Sequence, residues 1–213
     1  MREGKNWKTN YLLAISTLIV FSACEQEVKE LPYYGSFGEK GKKDFTVPKF
    51  SFTNQDSLET SHRDYASAVY VTDFFFTTCP SICPIMSSQM SRLQDMLKTE
   101  GIWGDVKLLS HTVNPENDRP HVLKEYASRI GADLTHWNFV TGDQKTLYDQ
   151  AKSGYFMTAL VSDTAAGGYF HSDNFVLIDQ NQHIRGYYDG TSTQSVNELL
   201  EDIKNLVKNH KHE

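Results

Sequence analysis

The stretch that decides the fold is AVYVTDFFFTTCPSICPIMSSQM, residues 68–90. Its first part, residues 68–76, is almost entirely apolar and rich in β-branched and aromatic side chains. Such a run is typical of a strand that is buried on both faces at the centre of a parallel sheet. From Pro84 onwards the apolar residues follow helical spacing, at Met86, Met90, Leu93, Met96 and Leu97. The stretch therefore predicts a buried strand, a short turn and a helix that begins at Pro84.

Two cysteines lie in the predicted turn, and each is followed by a proline. A residue that precedes proline is disfavoured in the α region, so Cys79 and Cys83 are expected before or at the start of the helix. The helix N-terminus carries partial positive charge, which stabilises thiolates, and a four-residue step in a tight turn allows a disulfide. We predict two thiols that are presented together for redox chemistry or metal binding. The alternative interpretation is a pair of buried structural cysteines.

The beginning of the chain predicts export. Basic residues precede the apolar run 11–21, which is too short to span a bilayer and is typical of a signal-peptide core. The run ends in FSAC, residues 21–24, which resembles the processing site of bacterial lipoproteins, with Phe21 in place of the usual leucine. An ordinary signal peptide with an incidental Cys24 is the alternative. Lipidation is favoured because the chain has three cysteines and the other two form a pair.

These features divide the chain into three parts. We predict a lipoprotein signal peptide in residues 1–23, and a lipidated N-terminus followed by a flexible, polar tether in residues 24–43. Residues 44–213 are long enough for one domain with its own core. The domain is expected on the extracytoplasmic side of a bacterial membrane, in the cell envelope. A net charge of −6 argues against nucleic acid as a partner.

Strands and helices alternate along residues 44–213. The pattern predicts an α/β fold in which helices flank a central mixed β-sheet. The expected strands are residues 47–52, 68–76, 106–113 and 137–140, and a hairpin of 170–179 with 183–188. The expected helices are one that begins at Pro84 and those at residues 120–130, 144–151 and 196–208.

Three motifs together resemble the Sco/SenC family of thioredoxin-like proteins: FTTCPSICP at residues 76–84, VNPEND at 113–118 and FHS at 170–172. The resemblance extends over most of residues 44–208 and implies a thioredoxin-like fold. Members of that family are membrane-tethered domains that bind copper and help to build the dinuclear copper centre of cytochrome c oxidase. Some members are proposed to act as thiol–disulfide reductases.

The resemblance implies that Cys79, Cys83 and His171 bind copper. Two soft thiolates suit Cu(I), and an added imidazole makes a site that also tolerates Cu(II). The implied partner is the copper-site subunit of cytochrome c oxidase or another copper chaperone. The chain departs from the family at Asn114, where an aspartate is usual, whereas Asp118 matches.

Other residues near the predicted site have less specific interpretations. Met86 and Met90 are soft donors close to the cysteines, but their helical spacing indicates core positions. His111 lies in a predicted strand and is expected to be a hydrogen-bonded core residue. Asp73 lies inside the apolar strand, six residues before Cys79, a spacing that resembles thioredoxins. It is either a proton relay for dithiol exchange or a structural carboxylate that is bonded to the backbone.

The sequence leaves three functions to compare, and it leaves open whether the protein is an enzyme. The first is a copper-binding metallochaperone without turnover, and the second is a membrane-tethered thiol–disulfide oxidoreductase that reduces partner cysteines. The third is a peroxidase of the peroxiredoxin type. Peroxiredoxins have a threonine three residues before the reactive cysteine, and Phe76 occupies that position here. The metallochaperone is favoured because His171 adds a metal donor that a general reductase does not need.

The lipidation of Cys24 is directly testable. We expect the mature protein to begin at Cys24, to carry acyl chains and to sediment with membranes, and we expect the Cys24→Ala variant to lose the acyl chains. Mass spectrometry of the mature N-terminus measures both. A mature chain that begins elsewhere and carries no acyl group would contradict the prediction.

Overall fold

The computed structural model describes residues 1, 30–35, 40–41 and 43–210. Cys24 and almost all of the predicted signal peptide lie outside the described residues. None of the helices in the described part of the chain is both long enough and apolar enough to span a bilayer.

The described chain contains nine strands and four α-helices. The strands are β1 (Ser51–Asn54), β2 (Glu59–Ser61), β3 (Val69–Phe75), β4 (Val106–Thr112), β5 (Trp137–Thr141), β6 (Ala159–Val161), β7 (Tyr169–His171), β8 (Asn174–Ile178) and β9 (Ile184–Asp189). The helices are α1 (Cys83–Thr99), α2 (Pro120–Arg129), α3 (Gln144–Asp149), which a π-helical turn at Gln150–Gly154 extends, and α4 (Thr193–His210).

Seven of the strands form one mixed sheet in the order β2-β1-β5-β4-β3-β8-β9. The three inner strands β3, β4 and β5 run parallel, and the others pair with their neighbours in antiparallel fashion. Strand β3 lies between β4 and β8, and all seven of its residues are buried. The apolar composition of residues 68–76 thus has the predicted cause, and the predicted mixed sheet with flanking helices is confirmed.

Helix α1 lies between α2 and α4. The Ser91 hydroxyl donates to the Ile130 carbonyl at the end of α2 at 2.9 Å, and Arg92 donates to Asn197 of α4 at 2.8 Å. Towards the sheet, α1 presents a buried apolar row that includes Met86 and Met90, both fully inaccessible to solvent. The expected core role of these two methionines agrees with this placement.

A separate small sheet carries part of the predicted hairpin. The sequence pattern predicts one strand over residues 170–179, but the chain forms β7 and β8 in two different sheets, with β7 paired to β6. The chain crosses between the sheets at Ser172 and Asp173. There the Ser172 amide donates to Thr158 and the Asp173 carbonyl accepts from Gly190. Alternation along a sequence does not reveal that a strand changes its partner, so the single-strand prediction was wrong.

Other predicted boundaries also differ from the structure by one to four residues, among them the starts of the first strand, of α1 and of α4. The first strand begins at Ser51 rather than at residue 47, after an exposed Pro48 that has no amide hydrogen for a sheet ladder. Helix α1 begins one residue earlier than predicted, at Cys83, with Ile82 as the N-cap residue and Pro84 in its first turn. Cys83 therefore belongs to the first turn of the helix, and Cys79 to the loop before it.

The segment 31–35 packs on the domain, although it falls within the stretch predicted as a tether. Leu31 is buried, and the Tyr34 amide donates to the Ile184 carbonyl at the start of β9. The buried Arg185 donates to the carbonyls of Leu31 and Pro32 and forms an ion pair with Asp179 at 2.8 Å. The folded part of the chain therefore includes residues that precede Asp44.

Candidate metal centre

Three predicted donors converge at the carboxyl ends of the parallel strands. Cys79 lies in the loop after β3, Cys83 at the start of α1 and His171 at the end of β7. All three are buried, and their donor atoms lie within 4.8 Å of one another. The Cys83 Sγ and the His171 Nε2 are 3.0 Å apart. Both cysteines are free thiols. The fold thus brings together residues that are far apart in the sequence into one soft donor set.

The cysteine loop, residues 76–82 between β3 and α1, is fixed by a buried carboxylate. Asp118 is inaccessible to solvent and accepts hydrogen bonds from the Thr77 amide, at 3.0 Å, and from the hydroxyls of Thr77 and Thr112. Thr112 ends β4, and Thr77 lies between β3 and Cys79. The carboxylate therefore ties the ends of two parallel strands to the loop that carries the first thiol. The sequence singled out Asp118 only through the family motif, and its structural role was missed.

The tautomer of His171 suits metal binding. Its Nδ1 lies 2.9 Å from the carbonyl oxygen of Ser172, and because a carbonyl can only accept, Nδ1 carries the proton. In the neutral ring Nε2 then has a free lone pair, and this atom faces Cys83. Burial lowers the pKa of His171, against opposing effects of the Ser172 carbonyl and the Asp173 charge, so the neutral form prevails. A hydrogen bond at the second ring nitrogen is the usual way in which proteins orient a histidine ligand.

The two thiols have different acidities. Burial raises the pKa of Cys79, but hydrogen bonds from the Cys83 thiol and from the amides of Ser81 and Cys83 outweigh it, so the pKa lies below its ordinary value. Burial, and after it the neighbouring Cys79 sulfur, raise the pKa of Cys83 well above its ordinary value. Cys79 is therefore the more acidic thiol. Cys83 keeps its proton, which has two acceptors within reach, the Cys79 sulfur and the lone pair on the His171 Nε2. Metal binding to both sulfurs must release that proton.

Access to the donors is from the Cys79 side. An open cavity of about 480 Å³ is lined by residues from the cysteine loop and from the β6–β7 hairpin, including Cys79, Phe76, Phe170 and His171. Cys79 retains 9% of its exposure, whereas Cys83 retains 1%. An incoming metal ion or partner thiol therefore meets Cys79 first.

The hairpin of β6 and β7 rests on the cysteine loop through Phe76 and Gly167. The Phe76 ring packs against Tyr169, at 5.3 Å between ring centroids, and edge-on against His171, at 6.0 Å. Gly167 has a φ of 78°, and a Cβ at that position would lie 2.8 Å from the Phe76 ring. No pattern in the sequence indicates these contacts, although Tyr169 lies two residues before His171 and so shares its strand face.

Asp73 lies in the middle of β3 and is 3% exposed. Its Oδ1 has no hydrogen-bond partner among the described residues. Burial raises the pKa of Asp73 to about 7, even though hydrogen bonding to Ser110 and to the backbone opposes the shift. The carboxyl group therefore gains and loses its proton near neutral pH. These findings favour the proton-relay interpretation over a carboxylate that is fully bonded to the backbone, but the role itself stays a prediction.

Two further predicted residues are placed as follows. His111 is fully buried in β4 and its Nδ1 lies 3.0 Å from the Thr72 hydroxyl, as expected for a core histidine. Asn114 is buried in the loop after β4, where its side-chain oxygen accepts from the Tyr169 hydroxyl at 2.9 Å.

The mixed sheet and the Cys–Cys–His cluster define a thioredoxin-like protein with a soft metal site. The SCO1/SenC family model matches residues 38–208, so the chain belongs to the SCO1/SenC family. It is 30% identical to the SCO1 protein homolog of Bacillus subtilis over 165 residues, which are 78% of this chain and 84% of that protein. The family and the thioredoxin-like fold predicted from the sequence are thereby confirmed.

Two solved structures share the fold. A SCO1/SenC family lipoprotein from Bacillus anthracis superimposes with a TM-score of 0.71 and 32% identity, over 77% of this chain and 96% of that one. BsSco, described as a member of the Sco family of cytochrome c oxidase assembly proteins with a disulfide switch, also gives a TM-score of 0.71, with 28% identity over 85% of this chain and 98% of its own.

The seating of the hairpin can be tested at two adjacent glycines. Gly167 and Gly168 both have positive φ, but a Cβ would strike Phe76 only at Gly167 and would meet open space at Gly168. Alanine at either position costs about 1 kcal/mol of backbone strain. At Gly167 the overpacking adds roughly 1–3 kcal/mol. We expect Gly167→Ala to weaken Cu(II) binding at least about fivefold more than Gly168→Ala does. Cu(II) titrations and thermal unfolding of both variants measure this, and equal effects would show that the contact does not hold the hairpin.

Proposed function

We propose that this protein is a copper metallochaperone that delivers copper to the dinuclear copper centre of cytochrome c oxidase during assembly. The observation that carries the proposal is the convergence of Cys79, Cys83 and the unprotonated Nε2 of His171 within 4.8 Å. Two thiolates and one imidazole suit Cu(I) and accommodate Cu(II). Structural zinc sites use four protein ligands, and the cluster of described residues supplies three.

The proposed partner and location follow from the family. The description of BsSco as a cytochrome c oxidase assembly protein supports the copper-site subunit of that oxidase as the acceptor, with another copper chaperone as the alternative. The lipoprotein from Bacillus anthracis supports an anchor at Cys24 and a domain outside the cytoplasmic membrane. The open cavity at Cys79 supplies a face through which an acceptor can reach the metal.

The same sulfurs support two exclusive states. In the reduced protein Cys79 meets copper first, because it is the more exposed and the more acidic thiol. Cys83 gives up its proton as the metal joins the second sulfur. In the oxidised protein a disulfide between Cys79 and Cys83 occupies both sulfurs, so we expect it to exclude copper. Reduction of the pair is then a precondition for loading.

The contribution of His171 separates a copper carrier from a dithiol reductase. We expect His171→Ala to abolish stable Cu(II) binding, because the loss of a direct ligand exceeds the roughly 10–100-fold cost of losing an outer-shell partner. Cu(I) retention should weaken, and the disulfide should still form and be reducible. The measurement is titration with Cu(II), followed by the thiolate–copper absorption band. His121→Ala is the control, since His121 is exposed on α2.

Cells that carry the His171→Ala variant extend this test to function. Assembly of cytochrome c oxidase should fail if copper delivery is the task and survive if thiol reduction is the task. A normal absorption band in purified His171→Ala would mean that another residue completes the site.

A second function, thiol–disulfide exchange with a partner, is favoured by one specific observation. Asp73 is buried in the strand that leads to the cysteines, and its pKa is raised to about 7 by burial. Its charge also acts on Cys83, whose pKa is raised mainly by burial and in part by Asp73. A carboxyl group that titrates near neutral pH can take up and return the proton that Cys83 exchanges with a disulfide.

The Asp73→Asn variant tests this role. If Asp73 relays protons, exchange with a small disulfide near pH 7 should slow at least about tenfold, while Cu(I) affinity changes little. Because the pKa of Asp73 is raised in the folded state, its contribution to stability is present below about pH 4 and is lost as the pH rises through 7. Wild type should therefore lose on the order of 4 kcal/mol relative to the variant over that range.

The control is Asp173→Asn, which removes an exposed carboxylate beside the same site. Stopped-flow exchange kinetics and urea unfolding between pH 4 and 8 are the measurements. Unchanged exchange rates together with the pH-dependent stability difference would leave Asp73 with a structural role alone.

A further inference from the structure

The third donor is positioned independently of the two thiols. Cys79 and Cys83 lie on the connection between β3 and α1, which belongs to the main sheet and its helices. His171 lies on β7, which pairs only with β6 among the described strands. The distance from His171 to the sulfurs therefore depends on how this two-stranded hairpin is held against the rest of the domain.

A side-chain hydrogen bond crosses from this hairpin to the loop after β4. The Tyr169 hydroxyl donates to the Asn114 side-chain oxygen at 2.9 Å. Asn114 is buried, and its backbone amide donates to the Thr112 hydroxyl at 2.9 Å. Thr112 in turn donates to Asp118, which also holds the cysteine loop. The bond therefore joins the histidine strand to the same hydrogen-bonded network that fixes the thiols.

We propose that Tyr169 and Asn114 form a latch that positions His171 and so tunes the affinity of the site for Cu(II). This inference rests on the proposed copper function. Tyr169 and His171 are separated by one residue on β7, so their side chains leave the strand on the same face. Phe76 packs against both rings. Fixing the tyrosine hydroxyl thus fixes the part of the strand from which the imidazole projects.

The latch acts on one oxidation state more than on the other. Two thiolates alone hold Cu(I), to which the imidazole adds a smaller contribution, whereas Cu(II) needs the imidazole. Without the latch the hairpin spends part of its time with His171 away from the sulfurs. The apparent affinity for Cu(II) then falls in proportion to the fraction of molecules in which His171 is in place to bind. The cysteine loop keeps its bonds to Asp118, so the dithiol and its disulfide are unaffected.

The primary test is Tyr169→Phe, which removes the hydroxyl and keeps the ring that packs on Phe76. One neutral hydrogen bond corresponds to about a 3- to 10-fold change. We expect Cu(II) affinity to fall by that factor and the thiolate–copper absorption band to shift, with Cu(I) affinity and disulfide formation within about twofold of wild type. Asn114→Leu should have the same effect, and the double variant should be no weaker than either single variant.

Two further variants sharpen the test. Tyr148→Phe is the matched control, because the Tyr148 hydroxyl donates at 2.8 Å to the Val113 carbonyl in the same loop. Among the described residues, its hydrogen bonds are to Val113 and Gln144, and none crosses to the hairpin. It should leave Cu(II) binding unchanged. Asn114→Asp keeps an oxygen that can accept from the Tyr169 hydroxyl, so it should retain the wild-type absorption band. Retention in Asn114→Asp together with loss in Asn114→Leu would show that the hydrogen bond matters rather than the packing of the side chain.

Hydrogen exchange in the metal-free protein tests the latch independently of the proposed copper function. The Ser172 amide donates to the Thr158 carbonyl at the base of the hairpin. Its hydrogen exchange in the reduced, metal-free protein should accelerate about 3- to 10-fold in Tyr169→Phe and not in Tyr148→Phe. Folded Tyr169→Phe with wild-type exchange and wild-type Cu(II) binding would overturn the latch. Wild-type protein that binds no Cu(II) would instead refute the copper function, and with it the role of the latch in tuning the site.

Discussion

The buried carboxylate of Asp118 is the interaction on which the site end of the domain depends. It is inaccessible to solvent and accepts from Thr77 and Thr112, at the ends of two adjacent parallel strands. A buried charge is tolerated only when it is hydrogen-bonded, and the loss of a partner leaves the full desolvation penalty. Because moving the cysteine loop would remove hydrogen bonds from the buried Asp118 carboxylate, this desolvation penalty keeps the loop in place. The first thiol is therefore held by the polar network beneath it rather than by packing alone.

Sequence reasoning succeeded where the information is local. Three local signals determine three consecutive elements, and each element is present. The apolar run determines β3, the prolines after both cysteines determine the loop, and the helical spacing behind Pro84 determines α1. It failed where the structure depends on pairing. Nothing in residues 170–179 indicates that the chain leaves one sheet for another at Ser172, because alternation reports which face is buried and not which strand lies alongside. His171 reached the candidate site through the family motif, and its tautomer depends on a backbone carbonyl that no pattern encodes.

The chemistry of the site follows from an asymmetry between two identical side chains. Cys79 keeps some exposure and gains hydrogen bonds that favour its thiolate, whereas Cys83 is enclosed and keeps its proton. One sulfur is therefore prepared to react and the other to follow. Both metal loading and disulfide exchange need this order, which explains why one arrangement supports either proposal. The histidine distinguishes them, because a disulfide reaction does not use it.

Segment 31–35 and the donor cavity lie at opposite ends of the main sheet. This segment meets the sheet where β8 ends and β9 begins, whereas Asn174, at the other end of β8, lines the cavity beside the donors. The five residues of β8 separate these two ends by about 15 Å. The chain thus enters at one pole of the domain and opens its donor cavity at the other. A partner that docks at the donor cavity would therefore approach the end of the sheet that segment 31–35 leaves uncovered.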